Sequence, residues 1–329
     1  MAPTAEEHEL DAEASRLMKQ GMALASHATL SSLAEAISCF DRAIALRERL
    51  PLHTTPEYRY GLAAGWLNRA EALTARGSDI DLEDAVRAYD AALALLGELP
   101  LDVDPRVRRR LVIAWQNRGL VLQRQASEHP PAAAEAVRCL RHAVTLIDDE
   151  AATAISDHAR IRVTVWANLA SVLTSVGTVA AMTEARAAAD QVLGSLDNDA
   201  LDRDESAATV FLSAQHVLCR ATGRLLEADS VSGDERRALF EKASDAVDDA
   251  LALARRWEAK GVDRFRPLAA DLVRFGCRVY AMHQPQFLNE FVLENLDPSQ
   301  SSGAFVASPD MRAAALESLW LSFRRPGRV

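Results

Sequence analysis

The chain has 329 residues and a formal net charge of −10, because 47 acidic residues outnumber 37 lysines and arginines. Such a surplus of negative charge repels nucleic acid and anionic membranes, so we expect neither as a partner. No segment approaches the roughly 18 apolar residues of a membrane span, and the acidic start MAPTAEEHELDAEA lacks the apolar core of a secretion signal. We therefore expect a cytoplasmic protein, and its few glycines and prolines favour helix.

Taken in chain order, six segments predict a first helix of a repeated unit. Three of them share the pattern Trp-x-Asn-(Arg/Leu)-(Ala/Gly)-x-x-Leu, which reads WLNRAEAL, WQNRGLVL and WANLASVL and begins at Trp66, Trp115 and Trp166. The steps between these tryptophans are 49 and 51 residues. Weaker copies are centred on Gly21, on Phe211–Leu218 and on Gly276. A fixed period of this size is typical of a solenoid.

A second helix follows each of the first three copies of the unit. The segments LAEAISCFDRAIAL, LEDAVRAYDAALAL and AAEAVRCLRHAVTL place a large residue, namely Phe40, Tyr89 or Leu140, between two small ones. That arrangement suits a helix crossing, where small residues allow close approach and large ones fill the remaining space. Weaker versions cover Thr183–Leu196 and Phe240–Leu253.

Capping residues predict where these helices begin and end. Ser31 with Ser32, and Asp79–Asp81, are candidate N-caps of second helices. Pro56 and Pro105 suit the first turn of first helices, and Gly77 and Gly177 suit the position just after such helices. The pattern is lost after Met282, where an amphipathic helix over Met311–Arg325 is predicted to cap the last hairpin or to serve as a docking or dimerisation segment.

The units resemble tetratricopeptide repeats. Trp66, Asn68, Ala70 and Leu73 of a first helix, followed by Ala85, Tyr89 and Ala92 of a second, match the family pattern in one continuous unit, and the next unit matches similarly. The usual period is 34, so a period near 50 is more similar to the long repeats of kinesin light chains. Arg69 and Arg118 stand where the family usually has leucine.

This resemblance implies an all-α, right-handed superhelical solenoid of about five to six antiparallel helix hairpins with C-terminal capping helices. We assign the repeat array to residues 6–282 and a cap or tail with one amphipathic helix to residues 283–329. The resemblance also implies that first helices line a concave groove that binds a peptide. The groove residues that it implies are Lys19, Asn68, Glu71, Gln116, Asn117, Arg124, Asn168 and Ser171. Each asparagine could instead bond the adjacent hairpin and set the stacking.

Arginines recur six or seven residues before the first-helix landmarks, with others beside them. They could form a basic stripe for an acidic or phosphorylated peptide, or pair with acids of neighbouring helices such as Asp41 or Glu48. This row comprises Arg59, Arg106, Arg108, Arg109, Arg110, Arg160, Arg162 and Arg266.

Little in the sequence indicates catalysis. The pair His8-Glu9 lacks the second histidine of a zinc-protease helix, since Ala12 occupies that position. The four cysteines form no C-x-x-C pair and are predicted to be buried free thiols. We expect no cofactor and no metal, and we expect a non-enzymatic scaffold or adaptor that binds a protein or peptide, with a homodimer through the C-terminal helix as an option. The alternative is a regulator gated by a peptide or small ligand, and an enzyme built on helical hairpins is the third possibility.

Overall fold

The computed structural model describes residues 4–101, 104–126, 130–228, 231–288 and 291–292. Within them the chain forms eleven α-helices joined by short loops. The first helices are α1 (Ala5–Ala25), α3 (Pro56–Arg76), α5 (Pro105–Gln125), α7 (His158–Val176), α9 (Glu205–Leu226) and α11 (Arg266–His283). The second helices are α2 (Leu30–Arg47), α4 (Asp79–Gly97), α6 (Pro130–Ile147), α8 (Val179–Leu193) and α10 (Gly233–Ala259). No strand occurs among these residues, so the predicted all-α repeat of hairpins is confirmed.

Contacts divide the chain into two compact units, Met1–Asn168 and Leu169–Val329. The predicted domain limits at residues 6–282 and 283–329 stay predictions. The amphipathic helix expected over Met311–Arg325 lies outside the described residues.

In the first unit, consecutive helices run antiparallel because their contacts pair early residues of one helix with late residues of the next. Arg47, at the end of α2, bonds Asp11 near the start of α1 at 3.2 Å between Nε and Oδ1. Arg47 also donates to the Gly61 carbonyl near the start of α3, whereas Arg69, further along α3, bonds Asp41, which comes earlier in α2. The helices therefore stack as a continuous series of hairpins.

The core of the first unit uses the small and large positions predicted for second helices. Phe40, Tyr89 and Leu140 are almost fully buried, and the flanking alanines are inaccessible to solvent. At Gly21 of α1, a Cβ atom would stand 2.5 Å from the Phe40 ring, so only glycine fits this crossing as built. Trp66 and Trp115, predicted to fill the space between helices, are half-buried and pack against this core, and Trp115 meets His142 edge to face at 4.7 Å.

The second unit repeats the hairpin packing with different side chains. Phe240 of α10 packs edge to face against Tyr280 of α11 at 5.5 Å. Trp257 is buried and donates its indole N–H to the Leu201 carbonyl at 2.8 Å. A buried indole that finds an acceptor in this way fixes the end of α10 against the loop between α8 and α9.

Helix ends agree with the sequence at most positions and differ at the starts of second helices. Pro56 and Pro105 open α3 and α5, and Gly77 follows α3 with a φ of 77°, which an L residue rarely adopts. The predicted N-caps of α2 and α4 were wrong by one to three residues. Thr29 and Ser78 cap them, because these side chains reach the N–H groups of the residues three positions later.

Candidate functional site

The site predicted from the first-helix pattern lies in the first unit, where α3 and α5 run side by side in the same direction. Arg124 Nη1 donates to the Thr74 carbonyl at 3.0 Å, and Asn117 Nδ2 donates to Glu71 Oε1 at 3.4 Å. Thr74 comes after Glu71 in α3, and its partner Arg124 comes after Asn117 in α5. The two helices therefore run in the same direction. We call the predicted groove residues on α1, α3 and α5 the first-helix face, comprising Lys19, Asn68, Glu71, Gln116, Asn117 and Arg124.

The structure brings some residues of the first-helix face together and leaves others apart. Glu71 and Asn117 form a direct side-chain contact between α3 and α5. The side-chain amides of Asn68 and Gln116 are half-buried and make no hydrogen bond within the described part of the chain. Lys19 on α1 is exposed. An amide side chain of this kind can accept a hydrogen bond from a peptide N–H group and donate one to a peptide carbonyl.

Two further predicted groove residues lie on α7. Asn168 closes the first unit and is half-buried, whereas Ser171 belongs to the second unit and is exposed. The Asn168 amide, like that of Gln116, has no hydrogen-bond partner among the described residues. The roles of both residues stay predictions.

Arg110 and Tyr60 extend the seam between α3 and α5 and were not assigned to the groove from the sequence. The Arg110 guanidinium lies 4.3 Å from the centre of the Tyr60 ring, a cation–π contact. Tyr60 stands 50 residues before Arg110 in the chain, one repeat period, and that spacing was the signal that could have linked them.

Burial and the neighbouring charges shift the pKa of two groups at this seam. Although Glu71 exposes much of its surface, the protein around its carboxylate replaces part of the bulk water, and this desolvation raises its pKa while the charge of Arg110 opposes the rise. Burial also raises the pKa of Tyr89, and the Glu71 charge adds to that effect. Glu71 is therefore a carboxylate that a cationic or hydrogen-bond-donating partner would stabilise.

Six of the eight arginines of the row form ion pairs, whereas Arg109 and Arg110 form none within the described residues. Arg59 faces Glu98 at 3.4 Å, and the buried Arg108 faces Asp149 at 3.4 Å. Arg162 bonds Asp148 at 2.7 Å. Asp41, suggested as a partner of the row, pairs with Arg69 instead. Arg59, Arg108 and Arg162 are therefore engaged by acids of other elements, as the ion-pair alternative predicted.

Metal-ligating side chains and cysteines were the remaining candidates for chemistry. No group of three or more histidine, cysteine or acidic side chains in the described part of the chain could hold a metal ion. The prediction of buried free cysteines is confirmed, since Cys39, Cys139, Cys219 and Cys277 are all buried and unpaired in disulfides. Burial raises the pKa of Cys277 to about 11, so its reactive thiolate is scarce at neutral pH.

Comparison with known proteins gives structural matches alone. No family model matches the chain, and no curated protein matches it. Among solved structures, the chain is similar to one of a protein described as a Podosopora anserina kinesin light chain with nearly identical TPR-like repeats. It shares 20% identity over 72% of this chain and 97% of that one, with a TM-score of 0.47. A single-substitution variant of that protein matches with 19% identity, the same coverage and the same TM-score.

The description of this chain as a helical-repeat protein follows from the helix register and the contacts given above. The tandem pattern had predicted a resemblance to TPR-like repeats of the kinesin light chain type, and solved structures of such repeats are among its matches. None of the helices described is both long and apolar enough to cross a membrane.

Proposed function

We propose that this chain is a non-enzymatic protein-interaction scaffold or adaptor that binds an extended segment of a protein along the first-helix face. The observation that carries the proposal is the pair of amides on the parallel helices α3 and α5, at Asn68 and Gln116, that form no hydrogen bond among the described residues. Asn168 on α7 offers a third such amide. An amide side chain without a protein partner can donate to and accept from a peptide backbone. The Glu71 carboxylate beside them adds a charged acceptor.

The first-helix face can contribute binding without carrying the stability of the fold. Asn117 makes a long hydrogen bond to Glu71 and a second side-chain hydrogen bond with Tyr89, and Glu71 exposes much of its surface. The buried alanine and large residues of the second helices carry the packing. Substitutions on this face should therefore change binding more than they change folding.

The test begins with linear peptides selected on the wild-type protein from a random peptide library displayed on phage. We expect Glu71→Ala, and separately Asn117→Ala with Asn168→Ala, to raise the Kd of the selected peptides at least tenfold. Glu83→Ala on α4 is the matched control, because Glu83 is exposed on a second helix and its removal changes the net charge equally. Peptides whose affinity falls equally in Glu71→Ala and Glu83→Ala, or in neither, would place binding elsewhere and refute the proposal.

A ligand-regulated protein is the second candidate, because the second unit contains a pocket lined by three arginines. We also propose that the protein is cytoplasmic and has no cofactor. A homodimer through the C-terminal helix is a further part of the proposal, and that helix lies outside the described residues.

A further inference from the structure

The second unit contains a pocket of about 350 Å³ formed by α7, α8, α9 and α11. This volume is within the range of small-molecule sites, which begins at roughly 300 Å³. Arg220 and Arg224 of α9 and Arg278 of α11 line it, together with Ser175 and Phe275. Three arginines and one acidic residue, Glu227, thus line one cavity in a chain whose net charge is −10.

Two of these arginines have no acidic partner within the described residues. Arg224 pairs with Glu227 at 3.1 Å, whereas neither Arg220 nor Arg278 forms an ion pair there. Some other arginines of this unit do form ion pairs, as Arg256 does with Asp202 at 2.8 Å. Like charges that share a cavity repel each other, and an anion between them would turn that repulsion into attraction.

The remaining walls of the pocket are apolar or accept hydrogen bonds. Phe275 lies against Gly223, where a Cβ atom would stand 2.5 Å from its ring, so the glycine lets the ring sit close to α9. Met182 and Val279 are buried beside it. Ser175 donates its hydroxyl proton to the Val172 carbonyl at 2.6 Å, which leaves its oxygen as an acceptor. The pocket therefore combines a cationic side with an apolar side.

We propose that this pocket binds a small organic anion. Its carboxylate or phosphate monoester lies between Arg220 and Arg278, and its aromatic or branched aliphatic body packs against Phe275. Guanidinium forks bind both anionic groups in bidentate geometry, and the apolar wall selects a ligand with a hydrocarbon part over a bare inorganic ion. The site is separate from the first-helix face, so the proposal stands or falls independently of peptide binding.

Titration calorimetry of the full chain with three probes tests the proposal. The probes are phenyl phosphate, 3-phenylpropionate and the neutral amide of 3-phenylpropionate. We expect at least one anion to bind with a Kd of about 1 mM or lower and the amide to give no measurable binding. The two anions distinguish a phosphate ligand from a carboxylate ligand. Failure of the wild-type protein to bind either anion, or equal binding of the amide, would overturn the assignment.

A matched pair of double variants separates the pocket from general attraction to positive charge. R220Q with R278Q should weaken binding of the anion at least tenfold, as expected for the loss of charge-assisted hydrogen bonds. R42Q with R237Q removes the same charge from two exposed arginines that also lack partners among the described residues, and it should change the Kd less than twofold. Equal weakening in both double variants contradicts a specific site.

His216 provides a second, spectroscopic readout. It lies one turn before Arg220 on α9, and its pKa is lowered by burial and then by the Arg220 charge, while Asp271 opposes that shift. An anion bound at Arg220 offsets part of this charge, so saturating phenyl phosphate or 3-phenylpropionate should raise the His216 pKa in an NMR titration. The resonance is assigned with H216N. An unchanged pKa in the presence of an anion that calorimetry shows to bind would place that anion away from Arg220 and overturn the proposal.

Discussion

Replacement of Arg47 by alanine tests how much one buried arginine contributes to the first unit. Arg47 ends α2, and its guanidinium makes three contacts with neighbouring helices. Nε bonds the Asp11 carboxylate at 3.2 Å, Nη2 bonds the Ser15 hydroxyl at 3.1 Å, and Nη1 bonds the Gly61 carbonyl in α3 at 2.7 Å. Its side chain is 9% exposed, so water does not replace these bonds in the folded state. One side chain thus links α1, α2 and α3.

The expected loss of stability follows from the groups that would lose Arg47 as their hydrogen-bond partner. A hydrogen bond to a charged group contributes about 1.5–3 kcal/mol, and removal of one partner of a fully buried ion pair costs about 3–5 kcal/mol. The side chain of Asp11 is 38% exposed and can be hydrated after the change, which reduces the cost. The three bonds share one guanidinium and are not additive. We therefore expect Arg47→Ala to lower the free energy of unfolding by about 2–4 kcal/mol.

The matched control is Arg49→Ala, two residues further along the chain. Arg49 also faces an acid on α1, Glu6, at 3.6 Å, but the two side chains are 58% and 78% exposed. An exposed pair of this kind contributes at most about 1 kcal/mol. Urea denaturation followed by far-ultraviolet circular dichroism measures both changes. Equal losses of stability in the two variants would refute the role assigned to Arg47.

Two further predictions concern folding. Gly21→Ala should destabilise the protein by about 1–3 kcal/mol because the new methyl group meets the Phe40 ring. The control is Gly97→Ala, whose new methyl group meets no atom within 4 Å and should not destabilise the protein. Thermal unfolding of both variants measures the difference. The Arg76 guanidinium lowers the pKa of the Asp81 carboxyl from 3.8 to about 2, so its contribution to stability is present above the unfolded pKa and is lost as pH falls from about 4 towards 2. Asp81→Asn should therefore be less stable than wild type at neutral pH and nearly equal to it near pH 2; a gap that persists at that pH contradicts the assignment.

The packing of this fold could be predicted from the sequence because it repeats. The small and large positions of second helices recur at the same offsets, and Phe40, Tyr89 and Leu140 are buried as that pattern required. The helix starts were less accurate, since Thr29 and Ser31 are both plausible caps and only the path of the backbone decides which side chain reaches a free N–H group.

The candidate sites were only partly predictable, for two physical reasons. Glu71 and Asn117 meet because α3 and α5 are consecutive first helices in register, and the repeat period showed this. Arg220 and Arg278 lie in the last two sequence repeats, where the repeat pattern is weakest. No shared position in the repeat therefore indicated that they line one cavity. Side chains that come together outside the repeat register depend on tertiary packing, which a single sequence does not reveal.

The ion pairs Arg69–Asp41 and Arg118–Asp90 bear on how such a chain could change its length. Both join residues that are 28 positions apart, and each links a second helix to the first helix that follows it. A segment containing α3 and α4 carries one arginine at its leading side and one aspartate at its trailing side. Tandem duplication or loss of that segment would leave each of these arginines with an aspartate partner. An ancestral gene could therefore gain or lose whole repeats without leaving an unpaired charge at the new junction.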